Sequence, residues 1–499
     1  MRILFVHPSP LMYTEIYLRL EPIGMERVAA VAIESGHDVR FLDLQIFSYR
    51  DFQSSLVDFQ PHAIAFSLNY LANLPEIVDL SKKAKEVLKN CFVLVGGHSA
   101  SFVPAELLEH AESAIDCVVR GEGEPIISQV LEALGDPQLH KLPGLVTRHG
   151  CGPAPLMLDD LDRYFPARHL THGRNKYFIG LLDPCASIEF TRGCPWDCSF
   201  CSAWTFYGRS YRKSTAQAVA EDMASIREPN VFIVDDVAFI HPEHGFEIGH
   251  ELEKRGIKKH YYLETRADVL CRNREVFKYW RRLGLEYMFL GLEAIDEEGL
   301  KAHRKRSSIS VNTKALEVAR KLDLRVAINL IAEPDWDERH FEMVREWALS
   351  IPEVVHLTVA TPYPGTETWL TEPRELTTLD YRLFDIQHAV LPTRLPLRQF
   401  YEELIKTQSI LNRKHLGFKG LRSAGAAALR LLMQGQTNFI RMLWKFNKVY
   451  NSERQYADHF REVSYAMPLR QKNGLRLDRS RLYIHQPKPA ESNAMRRKA

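Results

Sequence analysis

The sequence predicts an α/β protein built as two consecutive units, a doubly wound parallel sheet and then a partial barrel of six β/α units, followed by a helical C-terminal region. Three observations carry this. Residues 1–135 alternate five short apolar runs with amphipathic helical stretches, and parallel strands joined by crossover helices are the packing that such alternation allows. A second alternating series begins at Cys185 and offers six strand candidates, too few to close an eight-stranded barrel. Residues 396–470 then place apolar side chains at helical spacing.

In the first unit the strands are expected at Ile3–Val6, Val39–Leu42, Ala63–Phe66, Phe92–Val95 and Cys117–Val119, with helices at Ile23–Glu34, Pro75–Leu88, Pro104–His110 and Pro125–Leu134. Doubly wound sheets bind ligands beyond the carboxyl ends of their strands. The loops at those ends read His7-Pro8-Ser9-Pro10, Ser67-Leu68-Asn69, Gly96-Gly97-His98 and Arg120-Gly121-Glu122-Gly123-Glu124. Their small residues let a large flat ligand approach the backbone, although glycine after a strand also serves as a plain turn. No Gly-x-Gly-x-x-Gly follows the first strand, which argues against a dinucleotide fold, and no Walker sequence for phosphates occurs, so a different cofactor is expected.

Residues 136–180 are rich in Pro, Gly and His and are expected to form a linker carrying one short strand at Leu145–Thr147. In the second unit, residues 181–395, the strands are expected at Ala186–Phe190, Val231–Val234, Tyr261–Thr265, Tyr287–Leu292, Arg325–Leu330 and His356–Ala360, with helices such as Ala216–Ile226 and Val311–Leu322 between them. The apolar series Leu429, Leu432, Met433, Phe439, Ile440, Leu443 and Phe446 belongs to the helical region 396–470. The basic segment 471–499 is expected to lack structure.

Composition agrees with a globular protein. Hydrophobic residues make up 45% and charged residues 26%, and mean hydropathy is -0.25, which excludes a disordered chain, a collagen and a membrane bundle. No apolar run reaches the length of a membrane span, and the run at Ile3–Val6 is too short for a signal peptide, so a cytoplasmic location is expected. The formal net charge of +2 hides an asymmetry: residues 396–499 hold 21 Lys and Arg against 7 Asp and Glu, whereas the rest of the chain is acidic. An anionic membrane surface at the inner face and a nucleic acid are the two partners that such a basic part suggests, with a solvated tail as the plain alternative. No RNA-binding module is visible and aromatics are not interleaved with the basic residues for stacking, which disfavours nucleic acid.

Eight cysteines are too few for a disulfide scaffold. Three of them fall in Thr191-Arg192-Gly193-Cys194-Pro195-Trp196-Asp197-Cys198-Ser199-Phe200-Cys201. A structural zinc site closes with a fourth ligand and uses separated Cys-x2-Cys pairs, and no second pair exists here. A 4Fe-4S cluster held by Cys194, Cys198 and Cys201 leaves one iron open.

This spacing, with an aromatic residue before the third Cys, resembles the signature of the radical S-adenosylmethionine (SAM) superfamily. The resemblance extends over Asp235-Asp236, Thr265-Arg266-Ala267-Asp268, Gly291-Leu292-Glu293, His303-Arg304-Lys305 and Pro362-Tyr363-Pro364-Gly365-Thr366. It implies that the open iron chelates SAM, that the cluster cleaves it to methionine and a 5'-deoxyadenosyl radical, and that this radical takes hydrogen from an unactivated carbon. It also implies SAM contacts at Phe200, Arg266, Glu293 and Arg304, and an electron donor such as flavodoxin or ferredoxin. The Gly-Gly-Glu run that many members place after the second barrel strand is absent, which leaves the amino-group ligand open.

A five-stranded unit ahead of such a core resembles a cobalamin-binding domain, which makes the whole similar to class B, cobalamin-dependent radical SAM enzymes. The resemblance rests on Pro22-Ile23-Gly24, Gly36-His37-Asp38-Val39, Gly96-Gly97-His98 and Gly121-Glu122-Gly123-Glu124, and it implies cobalamin contacts at Pro8, Ser67, Gly96, Gly97, His98, Gly121 and Glu122. The Asp-x-His-x-x-Gly motif that supplies a lower cobalt ligand elsewhere is missing after the first strand. Base-off cobalamin without a His ligand is therefore expected. His7 and His98 are the two candidates for such a ligand, with a structural role as the alternative for each.

Within that class, Glu15-Ile16-Tyr17-Leu18-Arg19-Leu20-Glu21-Pro22, Trp204-Thr205-Phe206-Tyr207-Gly208-Arg209 and the basic helical C-terminus resemble the hopanoid C-3 methylases. The function implied is radical C-methylation of a polycyclic lipid through methylcobalamin. An anaerobic oxidative cyclase of the magnesium-protoporphyrin monomethyl ester type shares both domains and is the alternative enzyme. A non-catalytic cobalamin-binding regulator is the alternative of another class.

Overall fold

The computed structural model describes residues 1–12, 14–371, 375–414, 418–468 and 479–487. The first sheet holds β1 (Arg2–His7), β2 (Asp38–Asp43), β3 (Ala63–Ser67), β4 (Phe92–Gly96), β5 (Cys117–Val119), β6 (Leu145–Thr147) and β7 (Gly150–Cys151). Their order is β2-β1-β3-β4-β5-β6-β7. The first five are parallel neighbours, as the crossover pattern requires. Helices α1 (Ile23–Glu34), α2 (Tyr49–Phe59), α3 (Leu74–Val87), α4 (Pro104–Ala111) and α5 (Ile127–Glu132) cover both faces, burying the continuous apolar strands that a doubly covered sheet demands.

Residues 136–180 are more than a linker. β6 and β7 form a hairpin that extends the sheet antiparallel to β5. The strand at Leu145–Thr147 was legible, but its membership of the first sheet was not, because pairing across a loop leaves no local periodicity.

The second sheet runs β8 (Cys185–Ile188), β9 (Asn230–Ile233), β10 (His260–Thr265), β11 (Leu285–Glu293), β12 (Arg325–Ala332) and β13 (Val354–Val359) in chain order. All pairs are parallel, and β8 and β13 remain unpaired edges of an open barrel. Helices α6 (Ala216–Ser225), α7 (Pro242–Lys254), α8 (Arg274–Leu283), α9 (Ile309–Lys321) and α10 (Glu338–Ser350) pack outside on Val231, Ile233, Leu263, Leu290, Ile328 and Leu357. Alternation then turns Phe232, Tyr262, Glu264, Tyr287, Phe289, Asn329, His356 and Thr358 inward. At the amino-terminal end of the strands, Phe232, Tyr262 and Tyr287 pack with Leu18, Leu20, Ile179 and Leu182 and close the barrel floor.

The C-terminal region is helical as expected, with α11 (Leu397–Arg413), α12 (Phe418–Met433), α13 (Asn438–Val449) and α14 (Ser452–Asp458). Its apolar series splits. Phe439 is buried and Phe446 packs inward, whereas Leu429, Leu432, Met433, Ile440 and Leu443 face outward. Tyr381, Leu383, Phe384 and Met467 are buried in the core of the first unit, so the segments flanking these helices bind both units together. Part of the segment expected to lack structure is packed: Arg479–Leu482 forms a 3-10 turn, and Leu482, Ile484 and His485 are buried. Residues 471–478 and 488–499 lie outside the described residues.

Candidate active site

The cysteine loop starts where β8 leaves the barrel, and the two carboxylates after β9 hold its first residues. Asp235 accepts hydrogen bonds from the Phe190 and Thr191 amides (2.8 and 3.0 Å) and from Thr191 Oγ1 (2.6 Å). Asp236 accepts from the Gly193 amide at 3.1 Å. Burial pushes Asp235 up to about 7 and Asp236 up to about 6. Gly193 has φ +101°, and a Cβ there would lie 2.3 Å from the Ser210 carbonyl oxygen, so only glycine fits. A two-residue antiparallel pairing of Thr191–Arg192 with Arg212–Lys213 closes the base of the loop.

Side chains then clamp the turn that carries the thiols. Trp204 Nε1 donates to the Cys198 carbonyl at 2.9 Å, Arg209 donates to the Pro195 carbonyl at 2.9 Å, and the Ser199 amide donates to the His303 carbonyl at 3.1 Å. Two donors reach sulfur itself: the Ala203 amide to Cys201 Sγ at 3.4 Å and Arg266 Nη1 to Cys198 Sγ at 3.8 Å. Burial pushes the Cys201 thiol up to about 12, and burial followed by the Asp236 charge raises Cys194 further. Ionised sulfurs at these positions therefore call for a cationic centre. Three cysteine sulfurs on one loop, with N–H donors aimed at two of them, are the donor chemistry of an iron-sulfur cluster. The residues present fit that group. Among the described residues no set of three or more His, Cys, Asp or Glu is arranged around a single metal ion.

All four residues expected to meet SAM lie beside this loop, and three of them touch Lys305. Arg266 is buried, with Nη2 on the Lys305 carbonyl (2.6 Å), Nε on Asp268 (2.8 Å) and its guanidinium 4.5 Å from the centre of the Trp196 ring. Glu293 pairs with Lys305 Nζ at 2.7 Å and accepts from Asn329 Nδ2 at 3.3 Å. Phe200 sets its ring edge-on to His303 at 5.3 Å and lies 6.0 Å from the Lys305 ammonium. Arg304 donates to the Asp197 carbonyl of the loop at 3.4 Å and to Glu367 at 2.8 Å, whereas Lys305 takes the place beside Glu293. Arg304 has φ +51°, a left-handed turn that sends neighbouring side chains to opposite sides.

Across from the loop lies the carboxyl edge of the first sheet, with Pro8, Ser67, Gly96, Gly97 and His98. Gly97 has φ +108°, and a Cβ there would sit 2.8 Å from both Asn69 Oδ1 and the Leu68 carbonyl oxygen. The missing Cβ is thus a requirement of the turn, and the small residues it leaves at this carboxyl edge, where doubly wound sheets bind ligands, fit cobalamin. His98 Nε2 lies 2.8 Å from Ser202 Oγ, and its ring stacks on Phe206 at 4.7 Å. Burial pushes His98 down to about 4 and lowers His7 as well. Tyr70, on the loop after β3, opens onto the space between the units, where burial and then the charge of Glu264 on β10 raise its phenol. Burial, then the charges of Asp236 and Glu293, pushes Glu264 itself up to about 7. Asn329, Glu264 and Tyr70 carried no sequence motif, and Lys305 stood in the His303-Arg304-Lys305 run without being picked out as a contact; only strand alternation marks Asn329 and Glu264 as inward. A separate cavity of about 530 Å³ opens toward β2, lined by Ser9, Leu44, Tyr49, Glu76, Asp79 and Arg382, none of them from the cysteine loop.

Gly121 and Glu122 are not on the open edge, contrary to their expected place beside cobalamin. A Cβ on Gly121 would lie 2.7 Å from Pro155 and 2.8 Å from His485. Glu122 is buried between Arg192 (2.9 Å) and Arg212 (2.7 Å). Burial raises its carboxyl, but the two guanidinium groups override this and hold it at about 2. Arg192 also pairs with Glu124 at 3.0 Å and Glu189 at 2.9 Å. Further ion pairs join Arg168 to Glu21 and Asp222 and Arg174 to Glu228, so buried charges lock the two units in one orientation. The segment 479–487 completes the junction. The Ile484 amide donates to the Thr205 carbonyl at 2.9 Å, and Arg479 pairs with Glu367 at 3.1 Å.

Comparison with known proteins agrees with the two-unit fold. A B12 binding domain family matches residues 11–131, and the radical SAM superfamily matches residues 188–348. The hopanoid C-3 methylase of Methylococcus capsulatus is 56% identical over 99% of this chain and 96% of its own. An anaerobic magnesium-protoporphyrin IX monomethyl ester cyclase of Cereibacter sphaeroides is 26% identical over 78% of this chain and 67% of its own. Among solved structures, the radical SAM methyltransferase TsrM of Kitasatospora setae, with tryptophan and a SAM analogue bound, has TM-score 0.59 at 15% identity, covering 74% of this chain and 76% of that one. The cobalamin-dependent radical SAM enzyme OxsB, with aqua-cobalamin and SAM bound, also has TM-score 0.59 at 15% identity. It is matched over 83% of this chain, which spans 56% of that protein.

Proposed function

Because this chain belongs to the cobalamin-dependent radical SAM family of the hopanoid C-3 methylase, we propose that it methylates a hopanoid at C-3, an unactivated carbon of a polycyclic lipid. It is a cobalamin-dependent radical SAM methyltransferase, with a 4Fe-4S cluster, SAM and cobalamin as cofactors. The observation that carries the substrate is the extent of the likeness: 56% identity covers 99% of the chain, including the helices after residue 395 that neither family model reaches.

When bound, the cluster and SAM supply one-electron cleavage that yields a hydrogen-abstracting radical, and cobalamin supplies the methyl group. Each residue has a part in this reading. Cys194, Cys198 and Cys201 hold the cluster, while Arg266 and the Ala203 amide offset charge on the sulfurs. Glu293, held by Lys305 and Asn329, presents a carboxylate to the polar groups of SAM. Phe200 flanks the same space. Pro8, Ser67, Gly96, Gly97 and His98 receive cobalamin, with Tyr70 facing it. Phe289 faces the lumen above the aromatic floor of Phe232, Tyr262 and Tyr287, and such side chains suit a fused-ring lipid. An acidic electron carrier such as flavodoxin or ferredoxin supplies the electron. A peripheral position at the inner face of a membrane belongs to the same reading.

Anaerobic incubation of the reconstituted enzyme with SAM, a reductant and desmethyl hopanoid should give hopanoid heavier by one methyl substitution, at C-3 by nuclear magnetic resonance. SAM cleavage with no methylated hopanoid refutes the substrate. Oxygen insertion with ring closure on a porphyrin ester would establish the cyclase activity instead.

A further inference from the structure

In the α12–α13 hairpin, α13 reaches both edges of the open seam of the barrel, and the hairpin turns an apolar, basic face outward. Its inner side is anchored at both edges of that seam. Near β8, Asn438 Nδ2 donates to Asp183 Oδ2 at 3.0 Å. Near β13, Met442, Phe446, Val449 and Tyr450 pack with Ile16 and Tyr17, and the Tyr17 ring lies edge-on to the inward-facing His356 at 5.3 Å.

On the outer side Leu429, Leu432, Met433, Ile440, Leu443 and Trp444 are all exposed, Met433 by 74% and Trp444 by 64%. Neighbouring large apolar side chains in the open mark an interaction surface rather than ordinary scatter. The charge says what kind: residues 418–449 contain six Lys or Arg and no Asp or Glu. Arg430 and Arg441 are exposed beside the apolar side chains, and Lys448 stacks on Trp444 at 3.7 Å. A protein partner would need a complementary acidic apolar groove. An anionic bilayer supplies both properties at once, with headgroups for the cations and acyl chains for Leu, Met and Trp. No helix among the described residues is long and apolar enough to cross a membrane.

We propose that the outer face of the α12–α13 hairpin seats in an anionic phospholipid surface, placing the barrel seam against the bilayer. Docking itself stands on the exposed face. The use of the seam as a passage for lipid substrate rests on the hopanoid reading above.

The test uses the full-length holoenzyme and substrate-free vesicles, so its outcome is independent of any turnover. Co-sedimentation should occur with equimolar phosphatidylcholine and phosphatidylglycerol and not with phosphatidylcholine alone. It should weaken as salt rises from about 0.1 M to about 1 M, because the screening length falls from about 10 Å to about 3 Å. Arg430→Gln and Arg441→Gln should each weaken binding about fivefold, the equivalent of about 1 kcal/mol per basic residue. Leu432→Asp with Leu443→Asp should weaken it about tenfold or more while SAM cleavage and the melting curve stay unchanged. Brominated lipids should quench tryptophan emission in the parent and not in Trp444→Phe, a variant that carries no folding burden. Equal recovery with neutral and anionic vesicles, wild-type binding by the double Asp variant, or quenching that persists without Trp444 would each overturn the proposal. Failure of the hopanoid reading would instead appear as vesicle binding without methylated product.

Discussion

Replacing Arg192 by Met should loosen the junction between the two units more than any surface change. Its guanidinium is 6% exposed and pairs with Glu122, Glu124 and Glu189 at 2.9–3.0 Å. After the substitution Glu122 keeps Arg212 at 2.7 Å and Glu189 keeps Arg27 at 3.4 Å. Glu124 alone loses its partner while remaining buried. Stranding one buried charge costs about 3–5 kcal/mol. At about 2–4 °C per kcal/mol for a unit of this size, the transition of the N-terminal unit should fall by roughly 6–20 °C. Differential scanning calorimetry should show that transition separating from that of the barrel. Adding Glu124→Gln to Arg192→Met should return part of the loss, because the stranded charge is gone. A single transition within about 3 °C of the parent would refute the reasoning, as would a double variant less stable than Arg192→Met.

The same lock has a pH signature. Glu122 is depressed to about 2, so its contribution is full above about 4.5, its ordinary value, and disappears as pH falls toward 2; the difference between parent and Glu122→Gln in a pH series of melts should vanish at the acid end. His388 has the opposite sign. Burial opposes its charge, but Asp385 and Asp458 on either side raise it to about 9, so its contribution is full below about 6.5 and lost as pH rises through 9; His388→Gln should be less stable than the parent at pH 6 and indistinguishable near pH 10. Gly193→Ala should abolish cluster incorporation, read as iron content, because its Cβ collides with the Ser210 carbonyl. Cys194→Ala, Cys198→Ala and Cys201→Ala should each eliminate SAM cleavage in reconstituted protein, while Cys185→Ala should retain it. Bound cob(II)alamin should lack nitrogen hyperfine splitting in its electron paramagnetic resonance spectrum, since His98 is engaged by Ser202 and Phe206; a clear nitrogen triplet would refute this.

Strands and helices with strong periodicity were legible from the residues alone. Cys117–Val119 and Ile23–Glu34 coincide with the expected bounds, and the barrel strands lie within two residues or so of theirs. Local patterns encode local structure, and the cysteine spacing is local as well. What escaped depends on residues distant in sequence. The Gly121-Glu122 loop looks like a ligand loop because nothing nearby reveals that Arg192 and Arg212 will claim the carboxylate. Arg304 and Lys305 are adjacent, and only the left-handed turn at Arg304 decides which one faces the chamber. The hairpin β6–β7 joins the first sheet through pairing that periodicity does not report. Residues 479–487 read as tail because the segment 471–499 around them holds eight Lys and Arg, yet Ile484 and His485 find a groove already built by other segments.

That groove gives the protein a timetable. Thr205 and Phe206, on the turn just after the last cysteine, receive their hydrogen bonds from the amides of Ile484 and His485, about 280 residues further along the chain. At roughly 5–20 residues per second, translation delivers that partner about 15–60 s after the turn itself. Throughout that interval the nascent protein already carries its three thiols but lacks the clasp that covers the turn beside them. A ribosome-stalled series of lengths would therefore show the barrel resisting protease well before residues 203–209 do, and a fusion partner attached too tightly after residue 487 would interfere at the cysteine loop rather than at the end of the chain where it is joined.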